Sequence, residues 1–316
     1  MNNRVIASID IGGTSISLAL LDETGIRLED KIDTHSQRGG EDVIVRLLQA
    51  LRRLIERGVS LDLVAQAVGV ACPGVLDATH QVVAYSPNLN WHNVPLVEIL
   101  HRHFDLPVYM ENDANLYALG EYAFGAGQGQ RDLICFTLGT GVGSGIIING
   151  CIVSGQSGWS GELGHSIVWP NGRRCGCGTH GCLEAYASAT GLRGMLNEAL
   201  AAGAASSMLK KDTGIKQMYK AARQRDALAV AIFAEAGRCL GLGIINAVLA
   251  SGIEMIVLGG GVANCWSLMH EAAWRQIEKS LTIIDWRKLS IETSQLGDRA
   301  PLQGAAVLAG QHLSHK

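Results

Sequence analysis

The sequence has no basic excess. Its 26 Lys and Arg stand against 29 Asp and Glu, giving a formal net charge of −3 and a pI of about 6.4. That balance supplies no electrostatic footprint for nucleic acid or an anionic membrane. No uninterrupted apolar run approaches the roughly 20 residues of a membrane span. Met1-Asn2-Asn3-Arg4 leads straight into a strand-like run and offers no signal peptide. Eight cysteines among 316 residues do not make a disulfide scaffold. Five of them (Cys72, Cys135, Cys151, Cys239, Cys265) are scattered, mostly in apolar surroundings, where they are expected to pack as small hydrophobes. A reducing, cytoplasmic setting is the expectation.

What is present is apolar mass and glycine. The chain is 47% hydrophobic and 17% charged, a globular composition with enough apolar residues for two domains. Its 39 glycines cluster in short runs rather than in a repeat. Such clustering predicts tight turns and close approach of backbone to a ligand.

The first apolar run, Val5 to Ile9, ends in Asp10-Ile11-Gly12-Gly13-Thr14. The next, with Ile16, Leu18 and Leu20, alternates with small or polar residues and reads as a second strand. The glycines therefore sit in a hairpin. A Rossmann fingerprint and a Walker loop both need a helix after the glycines, so both are excluded. The turn offers backbone N–H groups and a hydroxyl to a phosphate, with Asp10 placed to hold a metal-bound water. The pattern returns after Gly125-Ala126-Gly127-Gln128-Gly129: Asp132 to Leu138 is apolar, Gly139-Thr140-Gly141-Val142-Gly143 turns, and Gly145 to Ile148 continues. Strand, glycine-threonine turn, strand, turn, strand thus occurs twice. Later, Met255 to Leu258 enters Gly259-Gly260-Gly261-Val262, another stretch fit for close backbone approach to a ligand.

Between the two copies, Glu41 to Arg57 reads as an amphipathic helix with Val43, Leu47, Leu51, Leu54 and Ile55 on one face. Val64 to Ala71 is a buried strand leading into Cys72-Pro73-Gly74, and Asn88-Leu89-Asn90-Trp91 lies in a loop before a helix over Pro95 to Phe104. Pro107 to Met110 is a strand, followed by Glu111-Asn112-Asp113-Ala114-Asn115 and a helical pattern. Asp113 at this strand-to-helix corner is either a helix cap or a ligand-facing carboxylate. Further helices are expected over Gly191 to Leu200, Ala227 to Leu249 and Pro301 to His312, a last strand near Leu289 to Thr293, and a loop-like or poorly ordered helical segment over 201–216.

His165, Cys175, Cys177 and Cys182 form the pattern H-x9-C-x-C-x4-C on a loop rich in Gly and Arg. Three thiols and one imidazole match a closed tetrahedral zinc site, and four protein ligands leave no open position, so the metal reads as structural. Glu162 and Glu184 bracket the cluster and suggest a polar pocket for a polyhydroxy ligand.

Together these motifs resemble the ROK family (repressors, open reading frames and sugar kinases). The resemblance rests on Asp10-Ile-Gly-Gly-Thr14, Leu138-Gly-Thr-Gly-Val-Gly143, Gly161-Glu-Leu-Gly-His165, Cys175-x-Cys177-Gly-x-x-Gly-Cys182-x-Glu184 and Gly259-Gly-Gly-Val262, and it covers essentially the whole chain. It implies an α/β, actin-like and hexokinase-like (ribonuclease H-like) fold of two duplicated domains around a central cleft. One would comprise residues 1–115 plus the C-terminal helix of about 301–316, the other residues 116–300 with the zinc loop. It implies ATP-dependent phosphorylation of a hexose at the 6-hydroxyl, with Mg²⁺ bridging the phosphates. Asp113 would be the general base. Gly74, Asn88, Asn90, Asn112, Glu162, His165 and Glu184 would contact the sugar. Asp10, Gly12, Gly13, Thr14, Gly139, Thr140 and Gly141 would serve the phosphates, and Gly260 and Gly261 the adenosine.

The resemblance makes glucose the expected substrate, and Val75 after Gly74 is apolar, which favours an unsubstituted hexose over an acyl-amino sugar needing a polar partner. The alternatives are an N-acetylmannosamine or N-acetylglucosamine kinase, a kinase for allose, mannose or fructose, and a non-catalytic sugar-sensing regulator. The family's repressors carry a helix-turn-helix domain of roughly 60–80 residues before the first strand, where this sequence has four residues before Val5. A homodimer is expected from the resemblance. Ser144, Trp159 and Ser160 depart from the family's usual glycine or small residues.

Overall fold

The computed structural model describes residues 3–156, 158 and 160–314. Trp159 lies outside them. In chain order, β1 (Arg4–Ile11), β2 (Ser15–Asp22) and β3 (Gly25–Asp33) form an antiparallel meander. Then come α1 (Gly40–Val59), β4 (Val64–Cys72), a ribbon of β5 (Val75–Leu76), β6 (Val83–Ser86) and β7 (Trp91–Val94), then α2 (Leu96–Phe104), β8 (Val108–Asn112) and α3 (Asp113–Phe124). The second copy has β9 (Asp132–Leu138), β10 (Val142–Ile148) and β11 (Cys151–Ile152). It continues with α4 (Glu184–Ala187), α5 (Ala189–Ala201), α6 (Ile215–Arg223), α7 (Ala227–Ser251), β12 (Met255–Gly259), α8 (Trp266–Ser280), β13 (Ser290–Thr293) and α9 (Ala300–Ser314).

The duplication read from the glycine turns is a duplication of sheets. One sheet has the order β3-β2-β1-β4-β8 and the other β11-β10-β9-β12-β13. In each, three meander strands are extended by two later strands, which pair in parallel: β4 on β1, β8 on β4, β12 on β9 and β13 on β12.

Two compact units result. The first comprises 1–129, 145–160 and 298–316, the second 130–144 and 161–297. This division by compactness falls beyond the sequence boundary at 115, because α3 packs along α9 and stays with the first unit.

In the first unit, β2 shows how the core is built. Leu18 and Leu20 face the cluster that includes Val43, Leu47, Leu51 and Leu54 of α1. Ala19 and Leu21 face Leu302 of α9 on the other side. The two-residue period of the strand thus puts one helix on each face. At Gly69 of β4 the α9 backbone comes so close that a Cβ would run into the Ala305 carbonyl oxygen.

In the second unit, α7 is long and apolar enough by length and composition to cross a membrane, but it is mostly buried and packs on α8, α4, α5 and α6. Asp226 caps its start by accepting from the Ala229 N–H at 3.0 Å, and Gly252 ends it at φ 73°.

Two features escaped the sequence reading. The ribbon strands have only two to four residues, too few to show a period. Helix α6 begins just inside the segment expected to be loop-like or poorly ordered helix and runs past it to Arg223. Its face of Met218, Ala221 and Ala222 is buried.

Replacing Gly69 with Val should push α9 off β4 and cost about 1–3 kcal/mol. A lowered urea midpoint of the first unit checks this.

Candidate active site

In the first unit, three parallel strands end at one edge. Asp10 on β1 is in register with Ala71 on β4, and Ala71 with Glu111 on β8. The next residues along are Cys72 and Asn112. Asp113 follows as the first residue of α3. This is the carboxyl end of the strands, where open α/β sheets bind ligands.

The helix cap is Asn112, not Asp113. Its Oδ1 accepts from the N–H of Ala114 at 2.9 Å and of Asn115 at 3.4 Å, while its Nδ2 donates to the Gly74 carbonyl at 3.2 Å. Asn112 therefore ties Gly74 to the start of α3. Gly74 itself sits at φ 109°. The Asp113 Oδ1 accepts from the Ala114 N–H at 3.0 Å.

The first glycine turn is pinned from inside. Gly12 N–H donates to the Ser15 carbonyl at 2.9 Å, and Thr34 Oγ1 donates to the Gly12 carbonyl at 2.6 Å. The N–H groups of Gly13 and Thr14 find no acceptor among the described residues, as an anion cradle requires. Asn88 approaches this turn: a Cβ on Gly13 would lie 3.2 Å from the Asn88 Cβ. Asn88 and Asn90 are exposed, and Asn90 takes the left-handed conformation at φ 55° that begins β7.

Asp10 is electrostatically strained. Burial, then the charges of Asp113 and Asp298, raise its pKa to about 7 against a smaller pull from Lys31. Asp298 comes from the start of the C-terminal segment, 288 positions away in sequence (298 − 10), and no local signal links the two.

The second unit gathers the other half of the predicted residues. Gly139 N–H donates to the Gly141 carbonyl at 2.9 Å, and the N–H of Ala189 to the Gly139 carbonyl at 2.8 Å, so the start of α5 holds the second turn. The Glu184 Oε2 accepts from the Val142 N–H at 3.1 Å, and its Oε1 accepts from the Cys175 thiol at 3.3 Å. A Cβ on Gly141 would occupy the space of this carboxylate. Glu184 therefore links the glycine-threonine turn to the cysteine cluster.

The cluster is assembled. The ligand atoms of His165, Cys175, Cys177 and Cys182 all lie within 4.8 Å of one another. The Cys177 and Cys182 Sγ atoms are 3.7 Å apart, and His165 Nδ1 is 3.7 Å from Cys175 Sγ. A tetrahedron with metal–sulfur bonds of about 2.3 Å has sulfur–sulfur edges of about 3.8 Å, so the donor set fits a tetrahedral metal. With Nδ1 turned to the thiols, Nε2 of His165 remains for another partner.

Ser144 explains one departure. Its hydroxyl donates to the Gly161 carbonyl and accepts from the Leu163 N–H at 3.1 Å. It thus fixes the backbone on both sides of Glu162. Ser160 donates its N–H to the Ser154 carbonyl at 3.1 Å.

The third glycine run meets the second turn from the side. β12 pairs with β9 so that Gly259 faces Thr137, and the Val262 N–H donates to the Leu138 carbonyl at 2.8 Å. Gly260, at φ 81°, and Gly261 are thereby held beside the Gly139–Gly141 turn.

Comparisons with known proteins bear on the family and the fold. The ROK family signature matches residues 6–312. A glucokinase of Thermotoga maritima is 37% identical over 273 residues, covering 84% of each chain. A ROK hexokinase structure from Thermus thermophilus aligns with a TM-score of 0.84 at 30% identity, covering 99% of this chain and 100% of the other. A ROK family glucokinase from Streptomyces griseus, in complex with glucose and AMPPNP, aligns at 0.79 and 36% identity, covering 97% and 99%. The fold they share is the hexokinase-like, actin-like architecture of two α/β domains.

The Asp10 carboxyl sets a pH dependence. A carboxyl whose pKa is raised on folding contributes stability that is complete at low pH and is lost as pH climbs from 3.8 towards about 7. Asp10→Asn removes the charge and keeps the shape. Its stability gain over wild type should be roughly 2–3 kcal/mol larger at pH 8 than at pH 5, read from urea unfolding without nucleotide or divalent cation.

Proposed function

The chain belongs to the ROK family, and from that premise we propose that it transfers the γ-phosphoryl group of ATP to the 6-hydroxyl of a hexose, with glucose the preferred acceptor. The observation that carries the reading is Asp113 at the carboxyl end of the parallel strands, close enough to Asp10 for its charge to be felt there. The glucokinases among its relatives, one of them solved with glucose and AMPPNP, support the same substrate pair.

Each residue then has a role. Asp113 accepts the proton of the attacking hydroxyl, a contribution on the order of 10²–10⁴-fold. Asn112 is already oriented by its cap and by Gly74, and it presents its amide beside that base. Asn88, Asn90, Glu162, His165 and Glu184 supply further donors and acceptors for the hydroxyls of the sugar. The N–H groups of Gly13 and Thr14 in the first turn, and of Thr140 and Gly141 in the second, hold phosphate oxygens. Gly260 and Gly261 let adenosine lie against backbone. Phosphoryl transfer asks for positioning and charge neutralisation above all. Mg²⁺ accompanying ATP would offset phosphate charge and favour the ionised form of Asp10, whose pKa in the free protein is raised by burial and then by the charges of Asp113 and Asp298.

Zinc is the metal that best suits the Cys3His set. It would be structural. By holding His165 and ordering the loop that carries Glu184, it would orient both towards the sugar. The family resemblance also supports a homodimer.

Three experiments test these assignments. A panel of hexoses in an ADP-release assay should give the highest kcat/KM with glucose. N-acetylmannosamine as the best acceptor would move the assignment within the family, and no release with any sugar would refute the kinase reading. Asp113→Asn should lower kcat by at least about 10² while calorimetry still detects glucose binding; near-normal turnover would remove Asp113 from its role. Cys177→Ser should leave the purified protein short of zinc by metal analysis and weaken glucose binding, and a zinc-replete variant would rule out that ligand set.

A further inference from the structure

The corner that carries Asp113 is braced from the opposite face of its strand. Glu111 on β8 is only 5% exposed, yet it is a carboxylate with polar partners on both oxygens. Oε1 accepts from the Asn112 N–H at 2.8 Å and from the Asn115 Nδ2 at 3.1 Å. Oε2 accepts from His80 Nδ1 at 3.1 Å and from Ser154 Oγ at 3.5 Å. Four pieces of the first unit thus converge on one side chain: the β5–β6 turn, β8, the first turn of α3 and the segment after β11.

His80 is the unusual member. It sits in the β5–β6 turn at φ 55°, a left-handed conformation that costs a non-glycine residue about 1 kcal/mol. Its ring is nonetheless delivered to Glu111. Burial pushes the Glu111 carboxyl up, but His80 and the N–H donors of Asn112 and Asn115 hold it below the usual range. The hydrogen bond to Glu111 raises the His80 imidazole, with the charges of Glu111 and Asp77 and the Met110 carbonyl acting with it against burial. The other titratable groups lining the same cavity of about 480 Å³ are Tyr109, Cys151 and His312. Asn115 Oδ1 is buried with no partner among the described residues, so this amide has turned its N–H to Glu111 at the expense of its own oxygen. That orientation suits a charged carboxylate.

We propose that His80 is a positioning residue for phosphoryl transfer: its Nδ1–H bond to Glu111 holds the carboxylate that fixes the Asn112 N–H and the first turn of α3, and through them the Asp113 carboxylate. The inference rests on the kinase reading given above. Asn112 is the pivot, because its N–H is held by Glu111 while its side chain caps the helix that begins with Asp113. A displacement of the 111–112 backbone therefore moves the cap and the base together. Displacements of about 1 Å at such a centre can cost up to about 10² in rate.

The test uses His80→Gly and His80→Gln in the full chain. Glycine accepts the left-handed backbone and removes the contact, so the loss of the ion pair is offset by relief of strain and the thermal midpoint should move little. Its kcat should fall about tenfold or more, with glucose affinity by calorimetry within twofold of wild type. Glutamine keeps an N–H donor without the charge. It should recover part of kcat and lack the decline in kcat expected of the wild type as pH rises through the raised His80 pKa. NMR titration of the His80 ring should place its pKa above 6.5 in wild type and lower it in Glu111→Gln. A kcat for His80→Gly within twofold of an active wild type overturns the positioning role while leaving the kinase reading intact. A wild type that turns over no hexose removes both.

Discussion

Parallel pairing of β1, β4 and β8 is the constraint on which the first unit's chemistry depends. Because Asp10, Ala71 and Glu111 share a register, the ends of all three strands come to one edge. The residues that follow, Gly12 to Thr14, Gly74 and Asn112 to Asp113, must then leave the sheet side by side. The same alignment buries Asp10 and brings negative charge near it, and burial first, then the charges of Asp113 and Asp298, raise its pKa to about 7. A shift of register by one residue would turn Asp10 and Glu111 to the opposite faces of the sheet.

The second unit applies the same geometry to a different task. β9 and β12 end together, so the Gly139–Gly141 turn and Gly260–Gly261 lie against each other through the Val262 N–H and the Leu138 carbonyl. Glu184 then joins that turn to the cysteine cluster, and Ser144 secures the backbone around Glu162. A Cys3His cluster suited to a structural metal is in this way tied by hydrogen bonds to the second glycine-threonine turn.

Features whose cause is local were legible in the sequence. The two glycine-threonine hairpins depend on neighbours in the chain, and so does the corner at Asp113. The Cys and His spacing needs only a short loop to close, and the ligand atoms do gather within 4.8 Å. The two-residue and four-residue strands of the ribbon were hidden because their pairing, not their composition, makes them strands. The sequence offers Asp113 as a possible helix cap, whereas the cap is Asn112. Adjacent polar residues at a helix start are interchangeable on paper, and only the turn direction of the backbone separates them. Glu111 carried a weak signal, an acid at the end of an apolar strand run, that acquires meaning only with His80 opposite it.

By itself, the amino-acid order determined the duplicated glycine-threonine turns, the Cys3His cluster and the carboxylate at the strand-to-helix corner, because each is encoded within a short stretch of chain. Tertiary structure alone decided that Asp298 is felt at Asp10, that Glu184 reaches the Val142 N–H, and that His80 braces Glu111. Those contacts join residues 288, 42 and 31 positions apart (298 − 10, 184 − 142, 111 − 80). Which partner a buried carboxylate finds at such a distance is set by sheet register and helix packing, and neither can be read from a side chain's own neighbours in the chain.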